Sequence, residues 1–226
     1  IKLFTDTSIL NFPKMFMNTF VIAIFTCIIS TIFVLSVAYS MSRMRFKMRK
    51  PFMNIAMIIG LFPSFMSMIA VYYILRALNL ADGAMIRVAL IIVFSAGSGA
   101  GFYVAKGFFD TISKSLDEAA IIDGATRWNV FTKITVPLSK PIIVYTILTS
   151  FMGPWVDFIF GKVICRADAQ YYTVSIGLWK MLEKEYIDSW YTCFAAGAVV
   201  VSIPIAILFL MTQKFYVEGM TGAVKG

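Results

Sequence analysis

Long apolar runs, largely free of charge and apolar on every side of a helical wheel, recur at residues 16–39, 52–75, 84–105, 141–161 and 190–211. Each is long enough to carry about 20 residues across the roughly 30 Å of hydrocarbon in a bilayer. Buried helices of a soluble domain would be shorter and would show a polar face. The pattern predicts an all-α integral membrane protein, a polytopic helical bundle with five spans visible. It divides the chain into an external segment at residues 1–15, a transmembrane region at 16–213 and a tail at 214–226.

Composition strengthens this reading. Of 226 residues, 60% are hydrophobic and only 14% charged, and the mean hydropathy is +0.83, more apolar surface than a soluble domain can hide. The net charge of +8 would suggest nucleic acid in a soluble protein, but its distribution reads as membrane topology instead. Arg43, Arg45, Lys47, Arg49 and Lys50 lie between the first two spans, and Lys106, Lys114, Arg127, Lys133 and Lys140 between the third and fourth. With Lys214 and Lys225 they make 12 of the 20 basic residues, so that side is expected to be cytoplasmic and the C-terminus with it. The chain opens on Ile1, and its first 14 residues lack both a basic leader and a cleavage site; a further segment upstream is expected. Cys27, Cys165 and Cys193 form no pairable set and read as small packing residues.

The internal loop at 106–140 carries its own folding signals. Ser115 and Glu118 have the spacing of a capping box. A helix from there through Ile122 would stop at Asp123-Gly124, because glycine accepts the left-handed conformation of a helix exit. Thr126 can cap a second helix that Pro137 ends about three turns later. Asp123, Thr126, Arg127 and Asn129 supply polar groups at the elbow, and Ile121, Ile122, Trp128, Val130, Phe131 and Ile134 supply apolar surface. Such a helical hairpin suits either a docking element or a connector packed beneath its own spans.

The stretch EAAIIDGATRWNVFTKITVPLSKP, residues 118–141, resembles the EAA loop of the permeases of binding-protein-dependent ABC importers, with Glu118, Ala119, Ala120, Gly124 and Pro137 at the matching positions. The likeness runs through GPWVDFIF at 153–160 and VEGMTGAVKG at 217–226, which resemble the carbohydrate class, specifically its maltose-type subunit with a short N-terminus. The resemblance implies six spans in the full-length protein and a location in the bacterial cell membrane. It also implies a partnership with a second permease, two ATPase subunits and an extracellular sugar-binding protein. Glu118, Ala119, Ala120, Asp123, Gly124, Ala125 and Thr126 would form the coupling helix that docks on the ATPase. In the tail, Thr221, Gly222, Lys225 and Gly226 would reach the ATPase dimer. At the outer face Lys180, Glu183, Lys184, Glu185, Tyr186 and Trp190 would meet the binding protein, although aromatic residues there equally suit membrane anchoring. Malto-oligosaccharide is the expected cargo, with galactosides or raffinose-type sugars as alternatives.

No Gly-x-x-x-x-Gly-Lys-Ser/Thr loop is present, so no nucleotide site of that kind is expected; ATP and magnesium would belong to the partner ATPase. The glycine-rich SAGSGAG at 95–101 lies within an apolar run, where small residues favour close helix approach or, as a lesser share, a wider path. The chain has no His and no metal-ligand cluster. An ion-coupled transporter would show buried acids and an internal repeat, and a membrane enzyme a cluster of catalytic groups; neither is evident. Asp157, with Trp155 beside it, is a candidate for the pathway or for an interfacial structural role.

Overall fold

Asn11 opens the first long helix. Its backbone is extended and its side chain accepts the Lys14 N–H at 3.0 Å, with Pro13 in the first turn, where a missing N–H costs nothing. The computed structural model describes residues 2–97, 100–166 and 168–223, leaving aside the side chains of residues 64 and 216–223. Every element among them is helical. The helices are α1 (Lys2–Thr5), α2 (Phe12–Arg43), α3 (Arg49–Gly60), α4 (Ser64–Ala77), α5 (Met85–Gly97), α6 (Gly101–Thr111), α7 (Lys114–Ile122), α8 (Arg127–Val130), α9 (Val136–Leu138), α10 (Lys140–Val156), α11 (Ile159–Cys165), α12 (Val174–Met181) and α13 (Ile187–Ala223). A π-helical turn at Phe131–Thr135 joins α8 to α9, and a 3-10 turn at Ala169–Tyr171 precedes α12.

Among the described residues, only α2 and α13 are single helices long and apolar enough to cross a bilayer, and up to five crossings result if each of three bent pairs counts as one. The apolar run at 52–75 is two helices, α3 and α4, set at 104°. Pro63, with its fixed φ and no N–H to donate, interrupts the ladder just after Gly60. The run at 84–105 is likewise α5 and α6, bent by 44°, and α6 continues to Thr111, shortening the expected loop at 106–140. The run at 141–161 ends as a helix at Val156, and α11 starts after Asp157 and Phe158. Pro154 removes one ladder hydrogen bond near that end.

α2 is the central helix, packing on α10, α6 and α5, while α10 also packs on α13. Two apolar clusters divide the bundle along its length. One, around Phe12, Met15, Ile22, Phe151, Trp155, Ile164 and Trp190, lies at the end opposite the basic loops. The other, around Val34, Ala38, Tyr39, Phe102, Phe109 and Ile142, lies at the basic end. Between them run buried hydroxyls, Thr26 and Ser30 on α2 and Thr146 and Ser150 on α10. Phe25, Ile28, Ile29, Ile32 and Phe33 on α2 are exposed, as suits a face against hydrocarbon, where exposed apolar groups are not penalised as they are in water.

Glycine makes one of these contacts possible. A Cβ on Gly197 of α13 would lie 2.8 Å from Leu178 Cδ2 and 3.2 Å from Phe12 Cε2. Gly197→Ala gains helix propensity of up to about 1 kcal/mol but overpacks at a cost of about 1–3 kcal/mol. The variant is therefore expected to melt below wild type in detergent, and a higher melting temperature would show that Leu178 yields freely.

Candidate functional site

At the basic end of the bundle, α7 and α8 form a helical pair joined by a left-handed turn. Ser113, not Ser115, is the N-cap of α7: its backbone is extended and its hydroxyl accepts the Ser115 N–H at 3.3 Å. The helix therefore starts two residues earlier than the capping-box spacing predicts, and Ser115 lies inside its first turn. The exit follows the expected chemistry. Gly124 has φ +85°, its N–H donates to the Ile121 carbonyl at 3.0 Å, and the Ala125 N–H donates to the Ala120 carbonyl at 2.9 Å. These two bonds satisfy carbonyls that the helix end would otherwise leave free. Thr126 then caps α8, accepting the Asn129 N–H at 3.2 Å. Helical structure runs on through the π turn past Pro137 to Leu138, and the chain bends by 81° at Ser139 to enter α10.

The tip of this pair faces outward. Ile122 is 85% exposed and Trp128 70% exposed, and Glu118, Ala119, Asp123, Gly124, Thr126 and Arg127 are exposed around them. Ala120 and Ala125 are half-buried. An isoleucine and a tryptophan left bare beside charged groups form a surface that gains by being covered.

What holds the pair to the bundle was not evident from the charge pattern, in which Arg43 counts only as a topology signal. The Arg43 side chain is 3% exposed and contacts Asp117 of α7 at 3.4 Å. Its Nη2 donates to the carbonyls of Phe109 and Ile112 at 2.9 and 2.8 Å, so one guanidinium ties the end of α2 to the end of α6 and to α7. A cation at a helix C-terminus is favoured by the unpaired carbonyls there. Ser42 donates to Asp110 at 2.6 Å, and the Tyr39 ring lies 4.7 Å from that of Phe131. The pair is thus tied to α2 and α6 by buried polar contacts and to α10 by the chain itself.

Deeper in the bundle lies a cavity of about 1090 Å³, bounded by α2, α4, α5, α10 and the start of α11. Thr146, Thr149, Ser150 and Gly153 of α10 present one polar stripe to it, spaced as one face of a helix. Val71, Ile74, Leu75, Ile92, Val93 and Phe94 supply apolar walls. Asp157 is at its rim and also plays a structural part: its Oδ1 accepts the Gly161 N–H at 2.9 Å, and its carbonyl accepts the Ser175 hydroxyl. Trp155 does not line the cavity. It is buried among Phe16, Phe20 and Phe151, because its position two residues before Asp157 turns it to the opposite side of α10. Gly97 and Gly101 line the cavity too. A Cβ on Gly97 would meet nothing within 4 Å and one on Gly101 only the Val34 methyls at 3.8 and 3.9 Å, so within this chain neither glycine is pressed against a neighbouring helix; Ser98 and Gly99 of the same stretch lie outside the described residues.

At the opposite end, the segment before α13 lends residues 171–174, 176, 177 and 181 to the core. Asn18 donates to the carbonyls of Gln170 and Tyr172 at 3.0 and 3.2 Å, and Thr19 accepts the Val174 N–H at 2.9 Å. Tyr171 and Tyr172 are buried and so do not anchor at the membrane surface. Trp190 is 2% exposed beneath the Lys2 ammonium, which lies 4.9 Å from its ring and donates to the Ser189 carbonyl at 3.0 Å. Burial removes Trp190 from any docking surface. Lys184 and Glu185 are exposed, and Lys180, Glu183 and Tyr186 half-buried. In the tail, Thr221 and Gly222 fall where side chains are not described, and Lys225 and Gly226 lie outside the described residues. Among the described residues no group of three metal-ligating side chains occurs.

Comparison with known proteins bears on this arrangement. The family described as binding-protein-dependent transport system inner membrane component matches residues 32–220. The galactooligosaccharides transport system permease protein GanQ of Bacillus subtilis (strain 168) is 34% identical over 227 residues, covering 100% of this chain and 78% of that protein. The maltodextrin transport system permease protein MdxG of the same organism is 33% identical over 226 residues, covering 100% and 79%. A chain in the crystal structure of a bacterial ABC transporter involved in the import of the acidic polysaccharide alginate superposes with a TM-score of 0.76 and 25% identity, over 95% of this chain and 78% of that one.

Proposed function

The chain belongs to the family of binding-protein-dependent transport system inner membrane components and is a permease subunit of a sugar importer; from that premise we propose how it works and what it carries. It pairs with a second permease to form a heterodimer around the cavity, and two ATPase subunits bind at the basic, cytoplasmic face, where the C-terminus also lies. ATP and magnesium reside on the ATPase subunits, which perform the hydrolysis. A sugar-loaded extracellular binding protein docks at the opposite face, with Lys184 and Glu185 among its contacts. Closure of the ATPase dimer pushes α7 and α8, the cavity opens outward to accept the sugar, and hydrolysis resets it inward.

The observation that carries this reading is the bare apolar tip, Ile122 and Trp128, on a helix pair locked by Gly124 and tied to three helices. A covering ATPase cleft explains it, whereas a connector packed beneath its own spans would have buried it. Malto-oligosaccharide is the proposed cargo, on the likeness to the maltodextrin permease, and galacto-oligosaccharide the second reading, on the likeness to the galactooligosaccharide permease. The hydroxyl stripe of α10 suits either, since sugar hydroxyls need donors and acceptors along a path.

The test is purification of the full-length subunit in mild detergent with its partners, followed by an ATPase assay with each candidate binding protein and sugar. Co-purification of an ATPase and a second permease, with turnover stimulated by one loaded binding protein, is expected and names the cargo. Isolation without an ATPase, under conditions that preserve such complexes, would overturn the proposal. Glu118→Lys reverses an exposed charge on α7 and is expected to abolish uptake with the subunit still in the membrane; uptake at the wild-type rate would remove Glu118 from the coupling element.

A further inference from the structure

A second, smaller cavity of about 130 Å³ lies between the end of α2, the start of α3 and the α7–α8 pair. Five cationic side chains border it, Arg43, Arg45, Arg49, Lys114 and Arg127, against two carboxylates, Asp117 and Glu118. Asp117 is engaged with Arg43, so of the lining carboxylates Glu118 is left to offset the remaining four cations, with Asp110 outside the lining acting on Arg49 and the Met44 carbonyl accepting from it at 3.5 Å. Like charges crowded around a small volume repel unless an anion enters. Arg43 supplies an observation independent of the charge count: its side chain is 3% exposed, yet its Nε has no hydrogen-bond partner among the described residues. Asp117 Oδ1 is also unpartnered.

We propose that this cavity binds a phosphate group, presented by the headgroup of an anionic phospholipid. A volume of 130 Å³ equals roughly four waters at about 30 Å³ each, room for one phosphate. Depth favours a lipid source over free phosphate. The apolar run of α2 ends near Tyr39, and Arg43 lies one turn, about 5.4 Å, beyond it, in the headgroup layer. The chain around Arg45 and Arg49 also alternates basic with exposed apolar residues, Phe46, Met48 and Phe52, which places acyl contacts beside the phosphate contacts. Basic pockets between spanning helices are where anionic headgroups are held.

Delipidated complex, with the second permease and ATPase in place, is titrated with phosphatidylglycerol or phosphatidylcholine, and adducts are counted by native mass spectrometry. Wild type is expected to retain phosphatidylglycerol selectively. The double variant Arg45→Ala/Arg49→Ala is expected to bind it roughly 25-fold more weakly, at about fivefold per basic group near the surface, while Arg45→Lys/Arg49→Lys keeps most of the binding and shows that the fold survives change at both sites. Equal binding to wild type and the alanine variant would overturn the proposal. So would phosphatidylglycerol held by the subunit alone but displaced on assembly, since the cavity then receives an acidic segment of the ATPase. Variant-sensitive binding of inorganic phosphate without phosphatidylglycerol would keep the phosphate site and overturn the lipid source.

Discussion

Replacing Gly124 by proline is expected to abolish uptake while the subunit still inserts and still pairs with its permease partner. Gly124 sits at φ +85°, whereas proline is confined near −65° and has no N–H. The turn between α7 and α8 would lose its geometry and the hydrogen bond to Ile121 together. A Cβ at this position would meet nothing within 4 Å, so the effect is conformational and not steric. That makes a graded series informative. Gly124→Asn should be mildest, because asparagine tolerates the left-handed region, and Gly124→Ala should cost about 1–2 kcal/mol. ATPase turnover stimulated by loaded binding protein should fall in the order Asn, Ala, Pro. Full stimulation in the proline variant would mean that the turn geometry plays no part in coupling.

The second large effect is expected at Arg43. Arg43→Met removes a buried cation and leaves Asp117 and the carbonyls of Phe109 and Ile112 without their donor. Breaking a buried ion pair from one side costs about 3–5 kcal/mol, a large fraction of the stability of most proteins. The variant should melt well below wild type in detergent, and the ATPase should dissociate from it more readily. Lysine should not substitute, since an ammonium cannot present the planar fork that spans two carbonyls and a carboxylate. Adding Asp117→Asn to Arg43→Met should recover part of the loss, although Asp117→Asn alone destabilises. If Arg43→Met and wild type melt together, α7 is held by something other than this guanidinium.

Local chemistry explains which features could be read from the residues alone. The Gly124 exit and the Thr126 cap each depend on residues within six positions of one another, so sequence and structure agree on them. The capping-box spacing points to Ser115 and the structure to Ser113, because two serines stand two residues apart and only the backbone and hydroxyl geometry of Ser113 chooses between them. Hydropathy located the apolar runs but passed over Pro63 and the glycines near residue 100, since an apolar count is blind to the ladder bonds that proline removes and to chain direction. Trp155 and Trp190 look alike to a sequence reading that seeks aromatic residues near a surface, and packing buried both.

By itself the sequence determined that this chain resides in a membrane, that a helical hairpin turning at Gly124 stands at its basic end, and to which family it belongs. All three follow from properties of contiguous segments: about 20 apolar residues cross a bilayer, and a glycine ends a helix next to its own carbonyls. Only the tertiary structure decided that Arg43 joins α2, α6 and α7, that the α10 hydroxyls share a cavity with α4 and α5, and that five cations surround a phosphate-sized space. Those groups lie many tens of residues apart along the chain. Helices with no polar stripe carry no marking of which face meets which neighbour, because in hydrocarbon an apolar side chain is equally well solvated by lipid or by another helix; packing makes that choice.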